Sequence, residues 1–504
     1  MKNLEELLGV IDYELLSGIE DIAIESIEYD SRKCKPGSLF VAMRGTAADG
    51  HEFIGKATEN GAVAVICDKP LSNSIDNKDV TFIKTRNSRA ALARISHKWY
   101  DYPTKDIKVI GVTGTNGKTT ITFLLKSIFE NAGIKSGIIG TTGIFIGNEF
   151  IPSSHTTPES LELAGYFARM RDSGVKAAAI EVSSHALHQH RADCIHFDAG
   201  VFTNLTHDHL DYHKTMQEYV AAKKILFDML GSESYALYCD ESEWPAKLLK
   251  DCVAVKYSIG RKSTSNFRVF NEVMDMHNSV FMIETPDFEN NLPDIGGLVM
   301  KFSTKLPGRY NIDNGACAIA AASVIGIPAG VIYKGLAISG GAPGRMQRIM
   351  LNTGAVGIVD YAHTPDALEK ALLACKDLHK AANAEENKLI CVFGCGGDRD
   401  RAKRPEMGKI SSEIADISVI TSDNPRTENP DTIIDDIFTG IDTVHIGKTT
   451  RLADRAKAIE YAVSVSGPDD IVLVAGKGHE DYQILGTEKI HFDDAEELSK
   501  FSMH

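Results

Sequence analysis

Short apolar runs alternate with stretches of helical periodicity along the chain, and this pattern predicts an α/β fold. In the first 210 residues, the apolar runs that predict strands are Leu39–Met43, Ala62–Cys67, Ile107–Thr113, Lys176–Val182 and Ala199–Thr203. Helices are predicted over residues 92–100 and 119–131. Strands that alternate with helices indicate a parallel sheet that is covered by helices on both faces.

A second series of apolar runs begins after Gly341 and predicts another open α/β sheet. These runs are Val356–Val359, Leu389–Phe393, Ile417–Thr421 and Ile471–Ala475. Polar or Gly-rich residues follow each of them at once. Ligands of open parallel sheets bind outside the carboxyl ends of the strands, so the chemistry of this section is expected there.

The length of 504 residues predicts about three domains. Residues Tyr102-Pro103-Thr104 are interpreted as a linker, because proline disfavours helix in the residue before it. The predicted domains are 1–103, 104–341 and 342–504.

The composition narrows the class of protein. Lys and Arg number 54 against 69 Asp and Glu, a net charge of −15 that argues against a general binder of nucleic acid or anionic membranes. The apolar share of 43% and the charged share of 24% are typical of soluble globular enzymes. No apolar stretch reaches the roughly 18 residues of a spanning helix. Nine scattered Cys and an N-terminus without a signal pattern lead us to expect a cytoplasmic protein.

The strongest motif is a Gly-rich turn between a predicted strand and a predicted helix. Its residues are Gly114, Thr115, Asn116, Gly117, Lys118, Thr119 and Thr120. Backbone N–H groups of such a turn form an anion cradle, in which Lys118 would reach the β- and γ-phosphates of ATP and Thr119 would hold Mg²⁺. Val112 stands where the standard spacing has Gly, so this is a shortened variant of the pattern. The alternative, a chance Gly-Lys-Thr in a turn, is disfavoured by the flanking elements.

Two further features suggest a cation site. Glu181 ends the run at 176–182, and the stretch 204–213 holds three His and two Asp soon after a strand. Zinc is one interpretation and a satisfied polar turn is another. ATP chemistry needs Mg²⁺, which prefers oxygen ligands, so we favour Glu181 as a ligand with His209 as an unusual nitrogen ligand.

Lys223 lies on an apolar helical stripe within Met216–Leu230, four residues after Tyr219 and four before Phe227. Lys224 points away from this stripe. A lysine on a buried stripe must be neutralised, paired or chemically modified. The alternative is that its stem is buried while the amine reaches water.

Several weaker signals concern anionic ligands and bases. Residues 156–158, 183–185 and 189–191 supply hydroxyl, amide and guanidinium groups that could bind a ligand carboxylate. Asn311 and Asn314 precede an Ala-rich helix predicted at 315–324. Their side chains would cap that helix, which is the more common use, or read a base.

Taken together, these motifs resemble the Mur ligase family, the ATP-dependent amide-forming ligases of peptidoglycan precursor synthesis. The resemblance runs over nearly the whole chain, in the order TGTNGKTT, EVSSH, NLTHDHLDYH, AAKKILF, GRYNIDN, PGRMQ and DYAHTPD. The more specific motifs are Asp30-Ser31-Arg32, GCGGDRDRAKR, DNPR and GKGHEDYQ. They resemble the motifs of those family members that add meso-diaminopimelate. His207 departs from the family pattern, in which Arg is frequent.

The resemblance implies three α/β domains. They are a small UDP-binding domain, a central P-loop ATPase-like doubly wound sheet and a C-terminal Rossmann-like domain. The implied residues for the UDP-muramoyl dipeptide are Ser31, Thr46, Ala47, Ala48, Thr156, Thr157, Ser183, Gln189 and Arg191. Those for ATP, besides the Gly-rich turn, are Asn311, Asn314, Arg345 and Asp360. Those for diaminopimelate are Arg399, Asp423, Asn424, Pro425, Arg426, Gly476 and Glu480.

The resemblance also implies the reaction. The D-glutamate side-chain carboxylate of UDP-N-acetylmuramoyl-L-alanyl-D-glutamate takes a phosphoryl group from ATP, and meso-diaminopimelate attacks the acyl phosphate. The catalytic residues implied are Lys118, Glu181, His209 and Lys223, with Lys223 carbamylated to N6-carboxylysine. Two Mg²⁺ ions are expected, held by Thr119, Glu181, His209 and the carbamate. Closure of the third domain would exclude water. We expect a monomer without nucleic-acid partners that acts in cell wall biogenesis, and hence in cell shape and division.

Three alternatives stay open. A lysine-adding ligase of the same family is disfavoured by Arg426, which would pair with the distal carboxylate that lysine lacks. The folylpolyglutamate branch is disfavoured by the Asp30-Ser31-Arg32 motif. A P-loop NTPase that acts as a switch or motor is the alternative from another class.

The DNPR motif has a structural alternative of its own. In isolation, a surface Asn-Pro turn with a solvated Arg is common.

Overall fold

The computed structural model describes residues 1–45, 48–70, 79–153, 155–206, 209–274, 278–286, 297–306, 308–381 and 386–503. Thr46, Ala47 and His207 therefore lie outside the described residues. The chain divides into two units, which are described separately below. The first comprises 1–118, 129–260 and 320–327, and the second comprises 119–128, 261–319 and 328–504.

Strands and helices alternate through most of the chain. The strands are β1 (Lys2–Asn3), β2 (Tyr13–Ser17), β3 (Ala23–Ile24), β4 (Ser26–Glu28), β5 (Ser38–Val41), β6 (Ala62–Cys67), β7 (Thr81–Thr85), β8 (Lys108–Thr113), β9 (Ser136–Gly140), β10 (Gly143–Ile146), β11 (Glu149–Ile151), β12 (Ala177–Glu181), β13 (Ala199–Phe202), β14 (Tyr235–Cys239), β15 (Val255–Gly260), β16 (Phe267–Met274), β17 (Ser279–Glu284), β18 (Val299–Thr304), β19 (Gln347–Met350), β20 (Val356–Asp360), β21 (Leu389–Phe393), β22 (Ile417–Ile420), β23 (Thr449–Arg451), β24 (Ile471–Ala475), β25 (Tyr482–Leu485) and β26 (Glu488–His491).

The helices are α1 (Leu4–Leu8), α2 (Ile54–Glu59), α3 (Ser88–Trp99), α4 (Lys118–Asn131), α5 (Ser160–Asp172), α6 (Ser184–His188), α7 (Leu210–His213), α8 (Met216–Asp228), α9 (Trp244–Leu248), α10 (Arg309–Val324), α11 (Ala329–Ile338), α12 (Pro365–Ala381), α13 (Lys403–Ile414), α14 (Pro430–Phe438), α15 (Arg455–Ser464) and α16 (Asp494–Ser499). Short 3-10 turns lie at Ser31–Lys33, Gly50–Phe53, Pro103–Lys105 and Thr443–Lys448.

The first unit begins with a small sheet in the order β2-β7-β6-β5-β4. Strands β4 to β7 pair in parallel and β2 joins antiparallel. One face packs with apolar residues of α1 and α3, and α2 contributes Ile54 and Ala57 to a separate apolar cluster. This sheet carries the loops that hold Ser31 and Ala48.

The larger sheet of the first unit has the order β11-β10-β9-β12-β8-β13-β14-β15. Strands β9, β12, β8, β13, β14 and β15 are parallel, and β10 and β11 form an antiparallel extension. All five residues of β12 are buried, as expected for a strand covered on both faces. Register places Glu181 beside Val112, and Phe202 beside Thr113. The carboxyl ends of three neighbouring strands therefore meet at the Gly-rich turn.

The second unit contains the antiparallel strands β16, β17 and β18 and a separate sheet in the order β19-β20-β24-β21-β22-β23. Strands β20 to β24 pair in parallel in this sheet, and β19 joins antiparallel. Apolar clusters cover both faces of the sheet. Strands β25 and β26 form a hairpin.

The strands predicted from apolar runs are confirmed, with ends that differ by at most two residues. The predicted helix at 92–100 begins four residues earlier, because the Asn87 side chain caps it by accepting from the N–H groups of Arg89 and Ala90. The expected linker at 102–104 is partly ordered. Tyr102 has a positive φ of 51° and the following residues form a 3-10 turn. The predicted domain boundaries stay a prediction.

The predicted start of the Ala-rich helix at Gly315 is wrong. Helix α10 begins at Arg309, six residues earlier. Asn311 and Asn314 therefore lie inside the helix, where they cannot cap it as one interpretation had it. The sequence pattern hides this start because polar residues fill the first turns of the helix.

Across the described part of the chain, every helix is too short or too polar to cross a membrane.

Candidate functional site

The Gly-rich turn joins β8 to α4 and is fixed by the loop that follows β13. Gly114 has a φ of 148°, and a Cβ atom there would lie 1.9 Å from the Thr203 hydroxyl, so only glycine fits. The Thr203 hydroxyl donates to the Asn116 carbonyl at 2.6 Å, and the Asn204 side-chain oxygen accepts from the Asn116 N–H at 3.0 Å. Sequence analysis gave no role to Thr203 and Asn204, although Thr203 ends a predicted strand and Asn204 directly follows it.

Lys118 is the first residue of α4, and its amine lies over the turn. The Nζ atom donates to the carbonyls of Gly114 at 2.9 Å and Thr115 at 2.8 Å. This geometry holds a positive charge beside the backbone of the turn. Thr119 is buried, and its carbonyl accepts from the Thr122 hydroxyl at 2.8 Å.

Glu181 ends β12 as a carboxylate that is only 1% exposed. Its Oε1 atom accepts from the Thr141 N–H at 2.9 Å, and its Oε2 atom accepts from the Thr141 hydroxyl at 3.2 Å. That hydroxyl also lies 3.0 Å from the Thr156 hydroxyl. The Thr157 hydroxyl donates to the Glu181 carbonyl at 2.8 Å. The structure thus brings the expected cation ligand close to two residues expected to bind the dipeptide.

Lys223 lies on the buried side of α8 and is 1% exposed, as its apolar stripe predicts. Its Nζ atom donates to the Gly114 carbonyl at 2.9 Å and lies 4.5 Å from the centre of the Tyr219 ring. Lys224 instead forms ion pairs with Asp228 and Asp251. The helix therefore directs Lys223, and not its neighbour, to the Gly-rich turn.

His209 is exposed, with a left-handed backbone at a φ of 54°. Its ring lies edge-on to those of His185, at 4.9 Å between centres, and Tyr219, at 6.0 Å. Tyr219 thus contacts both the His209 ring and the amine of Lys223. Within the described residues, no three His, Cys, Asp or Glu side chains are grouped to hold a metal ion. A cation here would need a further oxygen donor, which carbamylation of Lys223 would supply, and oxygen is the donor that Mg²⁺ prefers.

The residues expected to orient the dipeptide carboxylate form one network. Arg191 donates from Nη2 to the Gln189 side-chain oxygen at 2.7 Å and from Nη1 to the Thr157 carbonyl at 3.1 Å. The Thr157 hydroxyl lies 3.3 Å from that of Ser183. Glu159, which sequence analysis missed, forms an ion pair with the Arg191 Nε atom at 2.9 Å.

Glu159 also connects this network to the first sheet. Arg89 on α3 donates to the Glu159 carboxylate at 3.0 Å, and its second nitrogen donates to the Arg44 carbonyl at 3.1 Å. Ser31 is buried at the start of a 3-10 turn that Asp30 caps. The Ser31 carbonyl accepts from the Asn60 side chain at 2.8 Å. Of the expected loop at 46–48, only Ala48 lies within the described residues.

The residues expected at the nucleotide fall into two groups in the second unit. Asn314 donates to the Asn311 side-chain oxygen at 3.1 Å, and both are buried in α10. The Arg345 guanidinium lies 5.1 Å from the centre of the Tyr361 ring. The Asp360 carboxylate accepts from the N–H groups of Met346 and Ala362. Burial raises the pKa of Asp360, while Arg345 opposes that shift.

The residues expected to bind diaminopimelate lie at the carboxyl ends of β21, β22 and β24. Asn424 donates from its side chain to the Glu480 carboxylate at 3.1 Å. Arg426 donates from Nη1 to the Gly397 carbonyl at 2.9 Å. Gly476 has a φ of 122°, which favours glycine. The structure therefore brings together Asp423, Asn424, Arg426, Gly476 and Glu480 as the sequence predicts.

The backbone of Arg426 has a left-handed φ of 50° and lies against the hairpin. Its N–H donates to the Ile484 carbonyl at 3.1 Å, and its carbonyl accepts from the Gly486 N–H at 2.8 Å. Arg399 is exposed and donates to the carbonyl of its neighbour Asp398. A contact of Arg399 with a substrate carboxylate stays a prediction.

Buried residues that support this site were missed by sequence analysis. The Gln483 side chain donates to the Asp423 carbonyl at 2.6 Å. Arg404, with no exposed side-chain surface, forms ion pairs with Glu428 and Asp436. These residues lie within or beside the motifs, but their partners are distant in sequence, so the pattern gives no sign of the pairing.

Comparisons with known proteins agree with this architecture. The family model described as "Mur ligase family, catalytic domain" matches residues 23–100. The model "Mur ligase middle domain" matches 112–322, and "Mur ligase, glutamate ligase domain" matches 344–478.

Curated relatives match along almost the whole chain. A UDP-N-acetylmuramoyl-L-alanyl-D-glutamate–2,6-diaminopimelate ligase of Clostridium tetani is 43% identical over 99% of this chain and 98% of its own. The ligase of that name from Clostridium botulinum is 42% identical over 99% of both chains. A solved structure of a ligase of that name is 30% identical, with a TM-score of 0.69 over 99% of this chain and 98% of its own.

The α/β fold, the Gly-rich turn between β8 and α4 and these matches together place the chain in the class of ATP-dependent ligases. The chain belongs to the Mur ligase family. Its three-domain α/β architecture, predicted from the sequence, is confirmed by the solved relatives.

Proposed function

We propose that the protein is an ATP-dependent ligase that joins meso-diaminopimelate to UDP-N-acetylmuramoyl-L-alanyl-D-glutamate in peptidoglycan precursor synthesis. The bond formed is an amide to the D-glutamate side-chain carboxylate. One observation carries the choice of amino acid. Asp423, Asn424, Arg426 and Glu480 are grouped at one sheet edge, since the Asn424 side chain donates to Glu480 and Arg426 Nη1 donates to the Asn424 carbonyl, so anionic and cationic side chains lie close enough to receive a zwitterionic end.

The first step transfers the γ-phosphoryl group of ATP to the carboxylate of the acceptor. A carboxylate oxygen forms a bond to phosphorus, the bond to the bridging oxygen breaks, and ADP leaves. Lys118 and the N–H groups of the turn would stabilise the charge that develops on the transferred group. Arg191, held by Gln189 and Thr157, would orient the carboxylate for in-line attack.

Lys223 bears on this step through its charge. An ammonium here would be a buried cation that contacts the Gly114 carbonyl and the Tyr219 ring. Carbamylation would convert it to an anion and make it, with Thr119, Glu181 and His209, a ligand set for two Mg²⁺ ions. Bound Mg²⁺ would neutralise phosphate charge.

The second step joins the amino acid. The amine of meso-diaminopimelate attacks the acyl carbon, phosphate leaves, and the nitrogen loses a proton. In this proposal Arg426 pairs with the distal carboxylate, and Asp423, Asn424 and Glu480 receive the distal ammonium. Arg399 meets the other carboxylate. Closure of the third domain protects the acyl phosphate from water.

The test is incorporation of radiolabelled amino acid into the UDP-linked dipeptide, with the meso, L,L and D,D isomers of diaminopimelate and with lysine. ATP hydrolysis is measured in parallel with neither substrate, with the dipeptide alone and with both. We expect incorporation of the meso isomer coupled to ADP formation. Preference for lysine would favour the lysine-adding alternative, and rapid hydrolysis without either substrate would favour a switch or motor.

The proposal has two further parts, the location of the protein and its oligomeric state. We propose a cytoplasmic location because ATP and a nucleotide-linked substrate are used there. A monomeric state is tested by light scattering at working concentration, and a stable dimer would contradict it.

A further inference from the structure

Lys477 is a buried lysine in the middle of the loop that follows β24. Its side chain has no exposed surface. The Nζ atom lies 3.3 Å from Asp423 Oδ1, 3.3 Å from the Asn424 side-chain oxygen and 3.7 Å from Glu480 Oε2. These three partners are residues to which the proposed function assigns the distal ammonium of the substrate.

The charges of this cluster are unequal. Asp423 and Glu480 carry two negative charges when ionised, Lys477 carries one positive charge, and Asn424 is neutral. The cluster therefore has a net charge of −1, which one substrate ammonium would cancel. Without Lys477, two carboxylates would share a buried site with no fixed cation among these four residues, and Glu480, whose pKa burial already raises, would tend to take up a proton.

Lys477 also fixes the positions of the acceptor groups. Asn424 accepts from the amine and from the Ile484 N–H with its oxygen, and its side-chain nitrogen therefore faces Glu480. The orientation of the amide thus follows from its contacts with the lysine and with the Ile484 N–H. A merely space-filling side chain at 477 would leave the Ile484 N–H as the remaining donor to the Asn424 oxygen.

The ionisation of Glu480 depends on the groups that face it. Burial raises its pKa, Asp423 raises it further, and Lys477, the Asn424 amide and His363 lower it. Tyr361, Tyr482 and Arg455 also interact electrostatically with Glu480. Of the lowering groups, Lys477 has the largest effect. Its loss would move the titration of Glu480 to higher pH.

We propose that Lys477 is a positioning residue of the amino-acid site, which holds Asp423 and Asn424 in place and keeps Glu480 ionised to receive the distal ammonium. The role rests on the proposed function. It implies that Lys477 acts on the affinity for diaminopimelate rather than on phosphoryl transfer.

The experiment compares steady-state kinetics of the wild type with those of Lys477→Met and Lys477→Arg between pH 6 and 9.5. Lys489→Met is the matched control, since that lysine also lies over the Tyr482 ring but is exposed. For Lys477→Met we expect KM for diaminopimelate to rise roughly ten- to hundredfold, with kcat and both other KM values little changed. The acid limb of kcat/KM should move up by about one to three pH units.

Lys477→Arg keeps the positive charge, so its acid limb should stay at the wild-type pH even if its KM rises. Should Lys477→Met fail to fold, Lys477→Met/Glu480→Gln removes one charge of each sign and is compared with Glu480→Gln alone. These two variants should share one pH profile, because the group that Lys477 controls is absent from both. A difference between them would overturn the role.

Two failures are distinguishable. If the wild type incorporates no diaminopimelate, the proposed function is wrong and the role of Lys477 is wrong with it. If the wild type incorporates diaminopimelate and Lys477→Met keeps its KM and its acid limb, only the role of Lys477 is overturned.

Discussion

Replacement of Arg426 by alanine tests the basis of amino-acid choice. Meso-diaminopimelate differs from lysine by a carboxylate on the far carbon, and Arg426 is the cation assigned to it. Loss of one partner of a buried charge pair costs about 2–5 kcal/mol. At about 1.4 kcal/mol for each factor of ten, kcat/KM for diaminopimelate should fall roughly thirtyfold to several thousandfold.

The structure indicates which parameters should change. The loop that carries Arg426 keeps its backbone bonds to Ile484 and Gly486 in the variant, so the fold of the loop should survive. The side chain also donates to the Gly397 carbonyl, which water can replace after truncation. We therefore expect the loss mainly as a raised KM for diaminopimelate, with an unchanged KM for ATP. Lysine, which lacks the distal carboxylate, should be affected far less.

The assay is incorporation of labelled diaminopimelate and labelled lysine at several concentrations of each. Arg401→Ala is the control, because Arg401 is a nearby arginine whose side chain is 65% exposed and pairs with Glu428. The control should keep the wild-type ratio of the two amino acids. If Arg426→Ala also keeps that ratio, the assignment of Arg426 to the distal carboxylate is refuted.

Three other predictions concern the first unit. Lys223→Ala should nearly abolish ligase activity, with partial rescue by formate or acetate, whereas Lys224→Ala should be mild; equal losses would contradict the carbamate. Lys118→Ala should abolish dipeptide-dependent positional isotope exchange in ATP without changing the melting temperature much, and undiminished exchange would argue against its phosphate role. His97 is fully buried, and burial lowers its pKa to about 4 from an ordinary 6.5. Between pH 6.5 and pH 4 the His97 imidazole is therefore protonated in the unfolded chain but neutral in the folded protein. The free energy of unfolding should fall by about 3 kcal/mol as pH drops through this range. Urea titrations should show a weaker pH dependence for His97→Met but not for the exposed His196→Met.

Sequence patterns were informative wherever the signal was local. The apolar runs located the strands. Because ligands of open parallel sheets bind beyond the carboxyl ends of the strands, the runs also pointed to the polar loops that follow them. The spacing of Tyr219, Lys223 and Phe227 alone selected the buried lysine over Lys224. These features depend on residues within one element, and so the sequence displays them directly.

Features that depend on distant partners could not be predicted in this way. Glu159 lies between Arg89 and Arg191, which are more than a hundred residues apart in the chain. Lys477 is flanked by two glycines in a polar loop, and no periodicity indicates that its amine is fully buried. The start of α10 was missed because its first turns are polar. For Glu159 and Lys477, the deciding contact forms only after the fold has brought separate loops together.

The way in which the hairpin holds residue 426 bears on how amino-acid choice can change during evolution. The backbone N–H at this position donates to a carbonyl of β25, and the backbone carbonyl accepts from an N–H of the turn after β25. Every residue except proline has both of these backbone groups. A mutation can therefore exchange the side chain while the loop keeps its path, at no more than the cost of a left-handed backbone. Divergence toward another amino acid can begin with one substitution at this position, and the rest of the pocket can adapt afterwards.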